Sequence, residues 1–240
     1  MSAASAEVRR RASAHLLVDS VELASGEDVV GVADDVAHHL RRVLRLDDGD
    51  PVTVTDGAGR WTSTTLRLVG TAVVLEPIDE VAFEDRPGGE LVLATAVPKG
   101  ERAEWLVQKV AELGADRVVL LHAARSVVRW KPDRADRQRA RLQRIADEAL
   151  RQSRRVWRTV VEGPVEATAV LPDAAVAEPG GRPPTAADGV IAIGPEGGWA
   201  ADELAVAGDR IGLGPDVLRV ETAAIAAVTL LAAARRGSAP

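Results

Sequence analysis

The sequence predicts an α/β protein in two parts, a small β-rich segment followed by a larger domain built on a mostly parallel sheet. Three observations carry this expectation. The first ~80 residues hold short runs rich in Val, Leu and Thr, separated by Gly, Asp and Pro turn signals. Beyond the polar, glycine-bearing stretch at residues 84–89, apolar runs instead alternate with segments of helical period. The chain is 240 residues long and 46% hydrophobic, enough for a core without staples. That core must be aliphatic, because aromatic residues make up only 2%.

In the first part, strands are expected at residues 15–19, 29–32, 52–56, 61–68 and 72–78. The turns between them are Asp48-Gly49-Asp50-Pro51, Asp56-Gly57-Ala58-Gly59 and Val69-Gly70. One helix interrupts the series, from Asp34 to about Leu44, with Asp34 or Asp35 as its N-cap. The result reads as a small barrel carrying a single helix, with a linker at residues 84–89. The boundary expected is 1–83 and 84–240.

In the second part, a strand at residues 91–96 leads through Lys99-Gly100 into a helix from about Glu101 to Leu113. Ala103, Leu106, Val107, Val110 and Leu113 share one face, and Gly114 occupies the position after the helix where glycine is favoured. A strand at 117–121 precedes an arginine-lined helix. Residues 172–184 contain four prolines and two glycines, which suggests a surface loop. Strands at 189–193 and 210–213, a helix opening at Asp202 and a closing helix from Glu221 to about Arg235 complete the pattern. Such alternation implies helices on both faces of the sheet.

Several classes of function are excluded. With no cysteine there is no disulfide scaffold, no Cys-ligated metal site and no thiol catalysis. No uncharged apolar run approaches the ~18 residues of a membrane helix, and the N-terminus lacks a secretory hydrophobic region. A cytoplasmic protein with no membrane partner is expected. His38 and His39 are adjacent and His15 and His122 stand alone, so no metal site is expected either.

The formal net charge of −6 hides an asymmetry. Residues 125–158 carry 12 Lys or Arg against 4 acids. At helical spacing Arg134, Arg137, Arg141, Arg144, Arg151 and Arg155 fall within an arc of about 100°, while Leu142, Ile145, Ala146 and Ala149 lie opposite. Like charges repel along such a face unless phosphates neutralise them, and arginine suits bidentate phosphate contacts. A polyanion is therefore the expected partner, with Arg125 and Arg154 adding to the surface. Trp130 and Trp157, flanked by arginines, could stack on bases, whereas Trp61, Trp105 and Trp199 are expected to pack.

Three strand ends carry loops with special backbone needs: residues 96–100, residues 194–198 (Gly-Pro-Glu-Gly-Gly) and residues 212–215, the last followed by Leu218-Arg219-Val220-Glu221-Thr222-Ala223. In an open α/β sheet, ligands bind beyond the carboxyl ends of the strands, and glycines there admit close approach of a ligand to the backbone. Neither GxGxxG nor GxxxxGK[ST] is present. A carboxylate inside the Gly-Pro-Glu-Gly-Gly loop would repel a nucleoside triphosphate and suits a cationic ligand or a general base.

In order along the chain, LATAVPKGERAEWLVQKVAELGADRVVLL, RSVV, EALRQSRR, IAIGPEGGW and IGLGPDVLRVETA resemble the ribosomal RNA small subunit methyltransferase E family of SPOUT methyltransferases. HHLRRVLRLDDGD resembles that family's N-terminal domain. The resemblance implies a PUA-like RNA-binding barrel followed by a SPOUT α/β domain with a deep trefoil knot. It implies S-adenosyl-L-methionine as methyl donor, a homodimer with composite sites, and methylation of a uridine at N3 in 16S ribosomal RNA or the small ribosomal subunit. Carried over by position, the donor-binding residues are Gly194, Pro195, Glu196, Gly197 and Gly198, then Leu213 and Gly214, then Leu218, Arg219, Glu221, Thr222 and Ala223. Arg155 falls at the arginine ending the family's QSxR element and is expected to hold negative charge on the uracil, with Arg154 or Arg219 as alternatives. Glu196 or Glu221 is the candidate base. This chain departs from the family in having Arg151-Gln152-Ser153-Arg154-Arg155 where Glu-Gln-Ser-Gly-Arg is frequent, and in lacking a proline near Thr159. The competing expectations are another SPOUT RNA methyltransferase, acting on a ribose 2′-hydroxyl or a tRNA base, a non-catalytic ribosome-assembly factor, and a small-molecule methyltransferase.

Overall fold

The computed structural model describes residues 3–19, 30–86 and 88–237. The chain divides into two compact units, Met1–Arg86 with Leu150–Arg158, and Pro87–Ala149 with Thr159–Pro240.

The first unit opens with helix α1 (Ala3–Arg11), where the sequence suggests no element. Its residues are good helix formers, and Glu7 pairs with Arg10 and Arg11 one turn on. It lacks an apolar stripe, which is why periodicity misses it. Strands β1 (Ala14–Leu17), β2 (Val30–Gly31), β3 (Pro51–Thr55), β4 (Arg60–Val69), β5 (Ala72–Pro77) and β6 (Ala82–Phe83) form one sheet in the order β1-β3-β4-β5-β2, with β6 on β4. β1 and β3 run parallel and the other pairs antiparallel. The strand expected at 29–32 is thus β2, though Val29 lies outside the described residues. Helix α2 (Asp34–His38) continues as a π turn through Val43. Ala33, which has no capping oxygen, takes the N-cap position, so Asp34 and Asp35 do not cap as expected; they sit in the first turn and complement the helix dipole. Leu40, Val52, Leu66 and Leu75 are completely buried at the centre of this unit.

The second unit holds a six-stranded, all-parallel sheet. Its strands are β7 (Val92–Ala96), β8 (Arg117–His122), β9 (Val160–Glu166), β10 (Ala175–Arg182), β11 (Val190–Ile193) and β12 (Asp209–Ile211), in the order β12-β10-β11-β7-β8-β9. Both faces are covered, so the central strands are apolar without alternation, as in Val92-Leu93-Ala94. Helices α3 (Arg102–Leu113), α4 (Pro132–Ser153) and α6 (Val220–Gly237) contribute to the core on one face, around Leu93, Leu106, Val110, Leu142 and Leu231. On the other face, Trp199 and Leu171 pack beside the short helix α5 (Ala201–Val206). Gly114 ends α3 with φ 114°, its N–H donating to the carbonyls of Val110 and Ala111.

Two expectations need correction. Residues 172–184 are not simply a surface loop, because β10 runs through them between β11 and β12. Ala175-Val176-Ala177 is too short an apolar run to outweigh the neighbouring prolines by pattern alone. The register then shifts between Ala177 and Arg182, which accommodates Pro179. Trp105 is 47% exposed on α3 and is not a core residue.

Candidate active site

At the carboxyl ends of β11 and β12, beside the middle of β10, lies a cavity of about 330 Å³, the place where a parallel sheet presents a ligand site. β11 ends at Ile193, and residues 194–199 turn away from it. Gly194 is required here because a Cβ would stand 2.9 Å from Cε2 of the Trp199 ring. Gly198 adopts φ +69°, and its N–H donates to the Pro195 carbonyl across a tight turn. Trp199 is buried and lines the cavity, yet its Nε1 finds no hydrogen-bond partner among the described residues.

Gly194, Pro195, Glu196, Gly198, Leu213, Gly214, Leu218 and Ala223 line this cavity. The remaining donor-binding candidates are placed differently. Gly197 packs against Arg125, Arg219 and Thr222 are exposed outside the lining, and Glu221 is buried at the start of α6. The loop at 96–100, expected as a third wall, does not line the cavity. The middle of β10 does so instead, through Ala177, Glu178 and Pro179. Sequence reasoning missed this wall because it read residues 172–184 as a surface loop. It also missed Asp216 and Val217, which local motifs could have suggested only as neighbours of Gly214.

The electrostatics of the lining are one-sided. Glu178, Glu196 and Asp216 contribute carboxylates, and no lining residue is Lys or Arg. Outside the cavity, Arg102 at the start of α3 reaches both Glu196 (3.6 Å) and Glu221 (3.7 Å). Oε2 of Glu221 is buried with no hydrogen bond among the described residues. Arg102 had no distinguishing signal in the sequence beyond following a Lys-Gly loop. Among the described residues no group of three or more His, Asp or Glu side chains could hold a metal ion, and no helix is long and apolar enough to cross a membrane.

A family model described as an RNA methyltransferase domain matches residues 84–232, and one described as an RNA methyltransferase PUA domain matches residues 32–66. A ribosomal RNA small subunit methyltransferase E from Synechocystis is 33% identical over 78% of this chain and 67% of its own length. The chain belongs to the ribosomal RNA small subunit methyltransferase E family. The relative from Bacillus subtilis is 29% identical over 83% of this chain and 88% of its own length. Among solved structures, the small subunit methyltransferase E of Neisseria gonorrhoeae, bound to S-adenosyl methionine, aligns with TM-score 0.74 at 24% identity, over 90% of this chain and 94% of that one.

The arginines that the sequence singles out in this methyltransferase E family member fall into distinct settings. Arg134, Arg137, Arg141 and Arg144 are exposed on α4. Arg141 pairs with Glu104 at 2.8 Å, whereas Arg134, Arg137 and Arg144 make no ion pair among the described residues. Arg151, Arg154 and Arg155 belong to the first unit. There the Arg154 guanidinium donates to the carbonyls of Arg9 and Ala12, and burial lowers its pKa. The Arg155 carbonyl stands 2.9 Å from Nε2 of His15, whose Nδ1 is 2.8 Å from the Thr53 hydroxyl. Burial, with Arg9 and Arg154 nearby, pushes the pKa of His15 down to about 4 against the pull of that carbonyl. Trp157 is not open for base stacking: Phe83 meets its ring edge-on, Arg86 lies 4.0 Å from its centroid, and its Nε1 donates to the Glu84 carbonyl. Trp130 packs against the core.

Proposed function

We propose that this protein transfers a methyl group from S-adenosyl-L-methionine to N3 of a uridine in 16S ribosomal RNA. The single observation that carries this reading is the cavity at residues 194–199, which combines a main-chain wall, three carboxylates and a buried indole N–H without a partner. S-adenosylmethionine bears a sulfonium and an ammonium group, so a cavity rich in carboxylates and free of Lys or Arg suits it. A volume of about 330 Å³ is within the range of small-molecule sites. Gly194, Pro195, Glu196, Gly198, Leu213, Gly214, Leu218 and Ala223 would hold the donor, and Glu178 and Asp216 would add negative charge to the site. The donor supplies an activated methyl group, and the protein's own task is orientation and charge stabilisation.

The uracil N3–H must lose its proton, and Glu196 or Glu221 is the base in this reading. Arg155 stabilises the charge that then develops on the carbonyl oxygens, and Arg219 is the alternative. The motif Gln152-Ser153-Arg154-Arg155 supports the first choice, as does His15, which fixes the Arg155 main chain. The target base is extruded from its stack to reach such a site. Residues 1–83 form a PUA-like RNA-binding barrel and residues 84–240 the catalytic SPOUT domain. Exposed Arg41 and Arg42 in the π turn and Arg45 beside it support an RNA contact on the former, and exposed Arg125, Arg134, Arg137, Arg141 and Arg144, with the half-buried Arg151, support one on the latter. The deep trefoil knot is supported by the strand order, which lays β11 between β7 and β10 after both. A homodimer is supported by the outward side of α6, where Thr222, Ala226, Thr229, Leu230 and Ala233 are uncharged and at least partly exposed. Its place of action is the cytoplasm, with ribosomal RNA.

The test is nucleoside analysis of 16S RNA or small ribosomal subunits after incubation with labelled S-adenosylmethionine. The expected product is N3-methyluridine. A methylated ribose, or donor binding with no transfer to either substrate, overturns the reading. Arg155→Ala is expected to abolish transfer while donor binding, measured by calorimetry, is retained. Undiminished turnover in that variant removes Arg155 from the mechanism.

A further inference from the structure

Glu203 is 97% removed from solvent in the first turn of α5, yet no cation is paired with it among the described residues. Its two carboxylate oxygens are divided between two loops. Oε2 accepts the N–H of Ala200 at 2.8 Å, which ends the donor-side loop, and Oε1 accepts the N–H of Ala124 at 2.8 Å, in the loop that follows β8. A buried carboxylate that accepts two main-chain N–H groups loses much when either is removed, so both loops are tied to one side chain.

A second contact joins the same two loops. The guanidinium of Arg125 donates to the Gly197 carbonyl at 3.1 Å, and Gly197 lies so close that a Cβ there would stand 3.2 Å from Cβ of Arg125. The loop after β8 is stiff in its own right. Ser126 Oγ accepts the N–H of Ala123, the Ser126 N–H returns to the Ala123 carbonyl, and Arg129 donates to that same carbonyl. A displacement of residues 194–198 is therefore carried to Arg125 with little slack. β8 and β11 flank β7 in the sheet, so no strand lies between these two loops except β7 itself.

We propose that Glu203 is the positioning residue that makes these two loops one element, so that filling the donor cleft tightens the grip of Arg125 on RNA. The proposal rests on the reading that residues 194–198 hold the methyl donor and that Arg125 faces RNA. Coupling of this kind is a free energy shared by two sites, and it is reciprocal.

The experiment measures the Kd for unmethylated 16S RNA with and without saturating sinefungin, a non-transferable amine analogue of S-adenosylmethionine. It uses the full-length protein and its Glu203→Ala and Glu203→Gln variants, each checked for folding by thermal unfolding. Glu203→Gln keeps the side-chain volume but faces one main-chain N–H with an amide NH₂. In the wild type, sinefungin is expected to tighten RNA binding by a factor of about 5–150. In either folded variant that factor falls toward one. A general structural defect would weaken both ligands and leave the ratio unchanged, so an unchanged ratio in the folded variants overturns the proposal, as does a ratio of one in the wild type. Failure of wild-type protein to bind sinefungin at all overturns the reading of the donor cleft, and this proposal with it.

Discussion

Arg102 and Glu221 meet at 3.7 Å where the first turns of α3 and α6 come together, and the same guanidinium nitrogen lies 3.6 Å from Glu196. One cation thus serves a carboxylate on the edge of the cleft and another that is buried beside it. Arg102→Ala leaves Glu221 in the interior without its counter-charge. Since the arginine is itself partly solvated, the expected loss is about 1–2 kcal/mol of stability in urea denaturation. Adding Glu221→Gln should restore most of it, because the uncompensated charge is then gone. If the double variant is no more stable than Arg102→Ala, the ion pair is not what holds these helix ends.

Gly194→Ala tests the wall of the cleft. The new methyl would stand 2.9 Å from the Trp199 ring, so either the indole or the loop must move. Overpacking of this kind costs about 1–3 kcal/mol. In calorimetry, S-adenosylmethionine should bind at least about 10-fold more weakly. Unchanged affinity would show that the donor does not use this wall.

His15 gives the first unit an acid limit. Folded, it stays neutral down to about pH 4, whereas the unfolded chain takes up its proton near pH 6.5. Its contribution is therefore fully present above pH 6.5 and lost as the pH falls toward 4. Between pH 7 and pH 5 this one group should remove about 2 kcal/mol of stability. Equilibrium unfolding across that range should show the slope in the wild type, and His15→Gln should flatten it. Equal slopes would mean that another group sets the acid limit.

Arg134, Arg137 and Arg144 are exposed and make no ion pair among the described residues. Replacing all three by alanine should lower the dependence of log Kd for RNA on log salt by about 2–3, close to one phosphate contact for each arginine. Donor affinity should stay the same. A salt slope equal to that of the wild type would place the RNA path elsewhere.

Much of this was legible in the chain because the relevant physics is local. The apolar face of α3 and its terminal Gly114, the one-sided arginines of α4 and the largely apolar strands β7 and β11 each follow from a few neighbouring residues. So do the glycines of 194–198. The failures are equally specific. α1 has no apolar stripe to reveal it. β10 contains Pro179 and is a strand because β11 and β12 pair with its two edges, a fact written nowhere in residues 175–182 themselves.

By itself, the sequence determined the two-part α/β organisation, most of the helices and central strands, the aliphatic core and the glycine loops at the strand ends. Only the tertiary structure decided which strand ends become neighbours. It set β10 beside β11, bringing Glu178 to the cleft and leaving the 96–100 loop outside its lining, and it brought Ala124 and Ala200 to one carboxylate. Periodicity and turn chemistry act over a few residues, whereas strand adjacency is fixed by burial and pairing between segments far apart in the chain.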